Sequence, residues 1–446
     1  LYLKKNQNYL EQYQRFCIKA AANQYRPSWG TLLDFHLKNK GYLLQNSQKM
    51  RRRILEEGSD RLKTQFAQWE KLKNQIARAY NLSQEDRAKE KIDLPTWESE
   101  LNALEKTLRR DSQAFSQAIP NQTHSWRNVQ SQLKGQEAAL DMVRLGDDEG
   151  KVKYLALIFT KTQENPDILL WENGDRLENQ DFQIYQQALK TTSDAYDQAY
   201  QSYWQPIADY CRKMGIRKLF FSADGVYHQI ATRALRNPET GQYVLEELEL
   251  IRLAHLWDLM PPASPEDHQN IGPFVLLGNP RFRLSEQDFQ SQQVAARDQG
   301  GFRSALGGGP IDKMNWPALP ATQVEVQEIA RLLRAPDRDI VLLTREKAQE
   351  FPLKSLHNPR VLHLASHGFF SKSKERNTSF ISPLLRSGIV LAGVENYFQA
   401  EEKPRGEDGI LSALEASTLH LDETELVVLS ACETAQGKIV NGEGVF

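Results

Sequence analysis

A histidine and a cysteine stand just past two short apolar runs in the last quarter of the chain. Val361, Leu362, His363, Leu364, Ala365 and Ser366 lead into His367 and Gly368, while Leu426, Val427, Val428, Leu429, Ser430 and Ala431 lead into Cys432. Runs of this length, bounded by polar or glycine positions, predict central strands of a parallel sheet, and reacting groups collect at the carboxyl ends of such strands. An imidazole at one tip can take up a proton near neutral pH, and a thiol at the other can attack a carbonyl as its thiolate. The pair reads as a general base, His367, and a nucleophile, Cys432. A lone free cysteine is more often a small buried hydrophobe; it is the joint occurrence at two strand ends that favours chemistry. His363 lies on the strand itself, without the adjacent-turn spacing of a helical zinc pair and without a third ligand, so it is expected to be a core histidine. No metal and no cofactor is expected.

The elements that must position these groups follow in a regular order. After the Pro-rich stretch Pro261, Pro262, Ala263, Ser264 and Pro265, the pattern predicts strands at 274–277, 339–343, 361–366 and 426–431, with helices at 322–333, 347–356 and 409–419 between them. Alternating strands and helices imply right-handed crossovers and a parallel sheet covered on both faces. The glycine-rich segment 298–310 lacks the Gly-Lys-Ser/Thr ending of a phosphate-binding loop and predicts no nucleotide site. An earlier α/β lobe carries strands at 138–143, 152–159, 167–171 and 218–221 and a long helix at 181–214. Its strand ends in Ser222, Ala223, Asp224 and Gly225 without a nucleophile, so His228 nearby reads as a packed or surface residue. Before position 120 the pattern is helical: Leu62, Phe66, Trp69, Leu72, Ile76 and Tyr80 recur every three or four residues and line one face. Domains are therefore expected at 1–120, 121–265 and 266–446.

Composition agrees with a folded, multi-part protein. Among 446 residues, 40% are hydrophobic and 26% charged, enough for a sizeable core and unlike a disordered chain. Three cysteines, Cys17, Cys211 and Cys432, are too few and too scattered for a disulfide framework, which predicts a reducing, cytoplasmic compartment. No apolar run predicts a membrane span or a signal peptide. Leu1 already falls within a helical pattern, which predicts a piece of a longer protein. Residues 1–150 hold 25 Lys and Arg against 19 Asp and Glu, and residues 151–446 hold 31 against 39. So small a basic excess favours a solvated helix face for Arg51, Arg52 and Arg53 over a surface that binds nucleic acid directly.

The segments from Leu362 through His367 and Gly368 to Phe370, and from Leu429 through Cys432 to Gly437, resemble the two signature segments of CHAT domains, caspase-like cysteine peptidases often fused to tetratricopeptide repeats. Further similarity runs through Tyr154 to Leu157, Ser222 to Gly225, Gly278 to Pro280 and Asp408 to Leu411. The resemblance implies a fold class: α/β, a helical amino-terminal array followed by two caspase-like lobes, the first inactive, as in separase, and the second truncated at Phe446. It implies a His367/Cys432 dyad, an oxyanion hole from the backbone N–H groups of Gly368 and Cys432, and a substrate pocket to which Asn279, Arg281 and Asp408 contribute. The implied activity is that of a cysteine endopeptidase acting on a protein substrate once a protein or nucleoprotein partner binds the helical region. The resemblance also leaves open a catalytically silent scaffold or binding module, and the peptidase of an RNA-guided defence complex in bacterial signalling or defence.

Overall fold

The structure, a computed structural model, describes residues 12–13, 16, 29–40, 54, 59–81, 93–111, 125–146, 151–189, 195–260, 272–298, 316–336, 338–370, 387–400, 407–417, 419–421, 423–431, 439–440 and 444–445. Cys432, the stretch Pro261 to Pro265, the basic run Arg51 to Arg53 and most of the glycine-rich segment lie outside them. The chain forms two compact units, one from residues 1–50, 119–265 and 439–445, the other chiefly from 51–118 and 266–438.

Three helices precede the strands: α1 (Trp29–Asn39), α2 (Asp60–Asn81) and α3 (Leu94–Asp111). The apolar face read from the sequence of α2 is seen in Leu62, Phe66 and Leu72, all buried, with the Phe66 and Trp69 rings stacked. Asp93 caps α3, its carboxylate accepting the Thr96 N–H at 3.2 Å and hydroxyl at 2.7 Å. The region expected to be one helical domain is shared between the units: α1 belongs to the first, α2 and α3 to the second. The period of an amphipathic helix shows that it has an apolar face and says nothing about which sheet that face will cover.

The first unit contains α4 (Trp126–Gln132), β1 (Glu137–Gly146), β2 (Val152–Thr160), β3 (Asp167–Trp171), α5 (Phe182–Ala188), α6 (Ala195–Tyr203), α7 (Gln205–Met214), β4 (Lys218–Ser222) and β5 (Glu249–Leu253). Its sheet runs β3-β2-β1-β4-β5, antiparallel on the β2 side of β1 and parallel on the β4 side. Alternate residues of β1 serve two cores. Ala138, Leu140 and Met142 pack with Tyr203, Trp204 and Ile207; Ala139, Val143 and Leu145 pack with Leu32, Leu33 and Leu37 of α1 and with Trp126 and Val129 of α4. The long helix expected at 181–214 is interrupted. Trp204 leaves helical geometry at φ −121°, and Pro206, with no N–H to give the preceding turn, sits in the first turn of α7.

The second unit contains β6 (Gly272–Pro280), α8 (Glu286–Asp298), α9 (Pro320–Leu333), β7 (Ile340–Arg345), α10 (Glu350–Lys354), β8 (Pro359–Ala365), β9 (Gly368–Phe370), β10 (Ser387–Val390), α11 (Val394–Gln399), β11 (Ile410–Ser412), α12 (Ala413–Ala416) and β12 (Leu426–Ser430). The main sheet, β12-β8-β6-β7, is parallel throughout, as the alternation of elements predicts. Leu277, Leu362 and Leu364 face one core, and Leu276, Ala365 and the α9 residue Val326 form the other. A second sheet, β11-β10-β9, is antiparallel. It takes up Ile410, Leu411 and Ser412, so the helix expected from Gly409 starts only at Ala413. Ser412 and Glu415 form its capping box.

Candidate active site

The register of the main sheet sets the site. β12 lies beside β8, pairing Leu426 with Val361 and Ser430 with Ala365. Two residues beyond that last rung of β8 comes His367. Its carbonyl accepts the Val390 N–H at 2.8 Å, and Ser366 before it donates its hydroxyl to the Val390 carbonyl at 2.5 Å. These bonds hang the β8 tip on β10. The imidazole is half-buried and lies between Phe282 and Trp316, with ring centroids 5.3 and 5.6 Å away. Its Nε2 is 2.8 Å from the Pro317 carbonyl oxygen. A carbonyl only accepts, so Nε2 is the donor in this contact, and in the neutral ring the lone pair then lies on Nδ1. The position of His367 just past a strand end is as the sequence predicts, but its neighbours Phe282, Trp316 and Pro317 were not suggested; a backbone carbonyl has no side-chain signature.

Along β12 the described residues reach Ala431, one short of Cys432, so neither the thiol nor its N–H is described. Gly368 is the first residue of β9, opposite Ile389 on β10. Asn279 adopts φ +47° and anchors α9, its N–H donating to Thr322 Oγ1 and its amide to Gln323 Oε1, each at 2.8 Å. Arg281 is half-buried just past the end of β6, with Nη1 2.6 Å from Glu346 Oε1. Asp408 is fully buried and accepts the Ile410 N–H at 2.8 Å. His363 points to the α9 side of the sheet, buried, with Nε2 2.9 Å from Glu325 Oε1. That is the core placement expected from its position on a strand, and no cluster of metal-ligating groups occurs among the described residues.

Around Asp408 lies an acidic group that the sequence did not suggest. Glu350, Glu407, Asp408 and Glu415 are all buried, and among the described residues Lys354 lies within ion-pair distance of Glu350, Glu407 and Glu415. Burial and then Glu407 hold the Glu350 carboxyl well above the usual carboxylate range, and burial and then Glu415 do the same for Asp408. Burial also penalises ionised Glu415, but Lys354 and Ser412 outweigh it and lower that pKa. Lys354 stays cationic because the surrounding glutamates outweigh its desolvation.

In the first unit the corresponding strand tip offers no nucleophile. His228 is kept neutral at pH 7, its pKa pushed down to about 4 by burial despite the nearby Asp224. Cys211 is buried on α7, where burial raises its thiol to about 12 and makes it inert.

A parallel α/β unit whose strand tip carries a half-buried imidazole is the kind of scaffold on which caspase-like peptidases are built. The model of the CHAT domain matches residues 194–446, and this chain belongs to that family, which is related to caspase-like peptidases. The match begins before α6 and β4 and leaves out β1, β2 and β3, although β1 is hydrogen-bonded to β4 within one sheet. No curated protein matches the chain significantly. No helix among the described residues is long and apolar enough to cross a membrane.

Proposed function

We propose that this protein is a regulated, cytoplasmic cysteine endopeptidase using His367 and Cys432. The observation that carries the reading is the 2.8 Å contact of His367 Nε2 with the Pro317 carbonyl: a neutral ring bonded there through Nε2 leaves Nδ1 as the base, just past the end of the strand beside the one that leads to Cys432. In the proposed reaction Nδ1 takes the thiol proton as sulfur attacks the scissile carbonyl carbon. The N–H groups of Gly368 and Cys432 stabilise the resulting oxyanion, and the imidazolium returns its proton to the leaving amine as the C–N bond breaks. Water, deprotonated by the same imidazole, then hydrolyses the thioester and frees the thiol.

Asn279, Arg281 and Asp408 are proposed to border the substrate pocket, Arg281 as the member that contacts substrate and the other two as supports of its walls. A protein or nucleoprotein partner acting on the helical region is proposed to control the alignment of the dyad, since a permanently open cytosolic endopeptidase would endanger its host. The test is labelling of Cys432 by a thiol-directed electrophile and cleavage of peptide libraries by the intact protein, with and without candidate partners. Labelling that depends on His367 supports the reading. A Cys432 no more reactive than a free thiol in every state sinks it and leaves the scaffold reading.

A further inference from the structure

The buried charges around α10 take no part in the reaction just described, yet they reach the backbone that carries His367. Lys354 Nζ lies 2.5 Å from Glu350 Oε1, 3.0 Å from Glu407 Oε2 and 3.0 Å from Glu415 Oε1. These partners come from α10, from the residue before the turn at Asp408 and Gly409, and from α12. Two of them also hold backbone: Glu350 Oε2 accepts the Gly409 N–H at 3.2 Å, and Glu415 Oε2 accepts the Ser412 N–H at 2.9 Å. Gly409 passes the hold onward, its carbonyl accepting the Leu391 N–H at 2.7 Å. Val390, the neighbour of Leu391, donates to the His367 carbonyl at 2.8 Å.

The same stretch is tied down on its other sides. Ala392 N–H donates to the Ala348 carbonyl at 2.9 Å, and the buried Gln292 side chain on α8 donates to the Ala392 carbonyl at 3.2 Å. Phe282, whose ring packs on His367, accepts the Glu395 N–H at 3.0 Å. A shift at the Asp408 and Gly409 turn would therefore move the rung from which His367 hangs. A buried ion network of this kind is seldom more stabilising than apolar side chains of equal volume. Stability alone is a weak reason to keep it.

We propose that Lys354 is a positioning residue for the His367 imidazole, acting through Glu350, the Gly409 turn and the end of β10. The proposal rests on the peptidase reading for its effect on turnover, but not for its effect on the imidazole itself. Lys354→Met alone takes the cation from beside buried carboxylates and can fail to fold, so the decisive protein is Lys354→Met combined with Glu407→Gln and Glu415→Gln, which neutralises the cluster at nearly constant volume. Two quantities are read on the intact protein: the His367 ring resonance in a histidine-labelled NMR sample, assigned by its loss in His367→Ala, and kcat and KM for Cys432-dependent peptide cleavage.

The neutralised variant is expected to melt cooperatively, to displace the His367 resonance, and to lose on the order of 10- to 100-fold in kcat, as for a misplacement of about 1 Å, with KM within about twofold. Lys354→Arg, which keeps the charge, should recover most of that loss. A folded neutral variant with an unmoved resonance and kcat within twofold of the parent overturns the proposal. If the parent protein shows no Cys432-dependent cleavage, the peptidase reading falls, and the resonance alone decides whether Lys354 positions His367.

Discussion

Each unit carries a turn built around a buried Asp-Gly pair, after β4 in the first and before β11 in the second, and the two turns are put to different uses. At the tip of β4, Asp224 accepts the N–H of its own neighbour Gly225 at 2.8 Å and that of Arg144 on β1 at 3.0 Å. Gly225 sits at φ +54° under the Tyr154 hydroxyl, which accepts the Val226 N–H at 2.8 Å and donates to Glu178 at 2.6 Å. Arg144 closes the network with two bonds to Glu178, at 2.5 and 2.9 Å. The principal groups at this tip are turned inward. In the second unit Asp408 and Gly409, at φ +78°, are likewise buried, but the β8 tip they brace through β10 presents a half-exposed imidazole. One turn device thus serves as a closed structural knot in the first unit and, on the proposed reading, as a brace for the His367 imidazole in the second.

The sharpest way to break this contrast is to remove the bases. Cys432→Ala should abolish covalent chemistry, and His367→Ala should lower peptide cleavage by on the order of 10⁴, because members of a dyad act as a unit. His228→Ala, the counterpart change in the first unit, should leave kcat/KM within about twofold. Steady-state kinetics of the three variants check this, and an equal loss from His228→Ala would show that the first tip is not inert.

The buried ions of the two units are also opposites. In the first unit one carboxylate meets two partners: Asp141 lies 2.5 Å from His36 Nδ1 and 2.6 Å from Lys40 Nζ, all three buried, which fastens α1 to β1. Burial resists ionisation of Asp141, yet Lys40 and His36 outweigh it and hold the carboxyl far below its usual range. A carboxylate depressed by folding contributes stability above its unfolded pKa of about 3.9, and that contribution is lost as pH falls further. In the second unit Glu350 and Asp408 are raised instead. The folded state there keeps protons that the unfolded chain gives up above about pH 4, so their linkage weakens the fold as pH rises, opposed by the single lowered group Glu415. Acid is therefore expected to open β1 and α1 first, and alkali the segments around α10 and β11, in hydrogen exchange followed by mass spectrometry from about pH 3 to 10. Lys40→Met should cost about 3–5 kcal/mol in the first unit, since it leaves a buried carboxylate short of a partner. Urea melts monitored on the same peptides give the number; a loss below about 1 kcal/mol would mean that Asp141 finds another partner.

A smaller effect tests whether the two turns are the same device. A Cβ added at Gly225 would lie 2.0 Å from the Tyr154 hydroxyl, and one added at Gly409 would lie 2.6 Å from the Val394 nitrogen, both at positive φ. Alanine at either position should cost about 2–4 kcal/mol from the left-handed backbone and the displaced contact. Only Gly409→Ala should also lower kcat in the protein that remains folded. Equal catalytic losses from both would erase the distinction drawn between knot and brace.

The sequence made the strands legible where apolar side chains serve two faces, as in β2, β6 and β8, and it found His367 at a strand tip for that reason. The small sheet was not legible. β9, β10 and β11 are three or four residues each, too short for a period to show, and the helix expected at 409–419 runs across β11, although the Ser412 and Glu415 capping box starts it only at Ala413. Glu350 and Lys354 sit four apart and look like an exposed helical pair. Their burial depends on Glu407 and Glu415, more than fifty residues on, which no local pattern reveals.

The smallest expected effect separates the two histidines of β8 and its tip. His363 and His367 are four residues apart, but His363 lies on the strand, where it faces α9 and bonds Glu325, while His367 lies beyond the last rung, between aromatic rings and the Pro317 carbonyl. His363→Gln keeps a nitrogen donor near Glu325 and removes the ring, so the expected cost is about 1–2 kcal/mol, that of one weakened hydrogen bond and imperfect packing. Because Ala365 and Ser366 intervene and β10 independently holds the tip, kcat and the pH dependence of Cys432 labelling should stay within about twofold of the parent. Thermal melts and the labelling profile measured on the same sample check both halves. A folded His363→Gln protein whose labelling profile shifts by a pH unit would make His363 part of the reacting group and move the boundary between core and site one turn of the pleat inward.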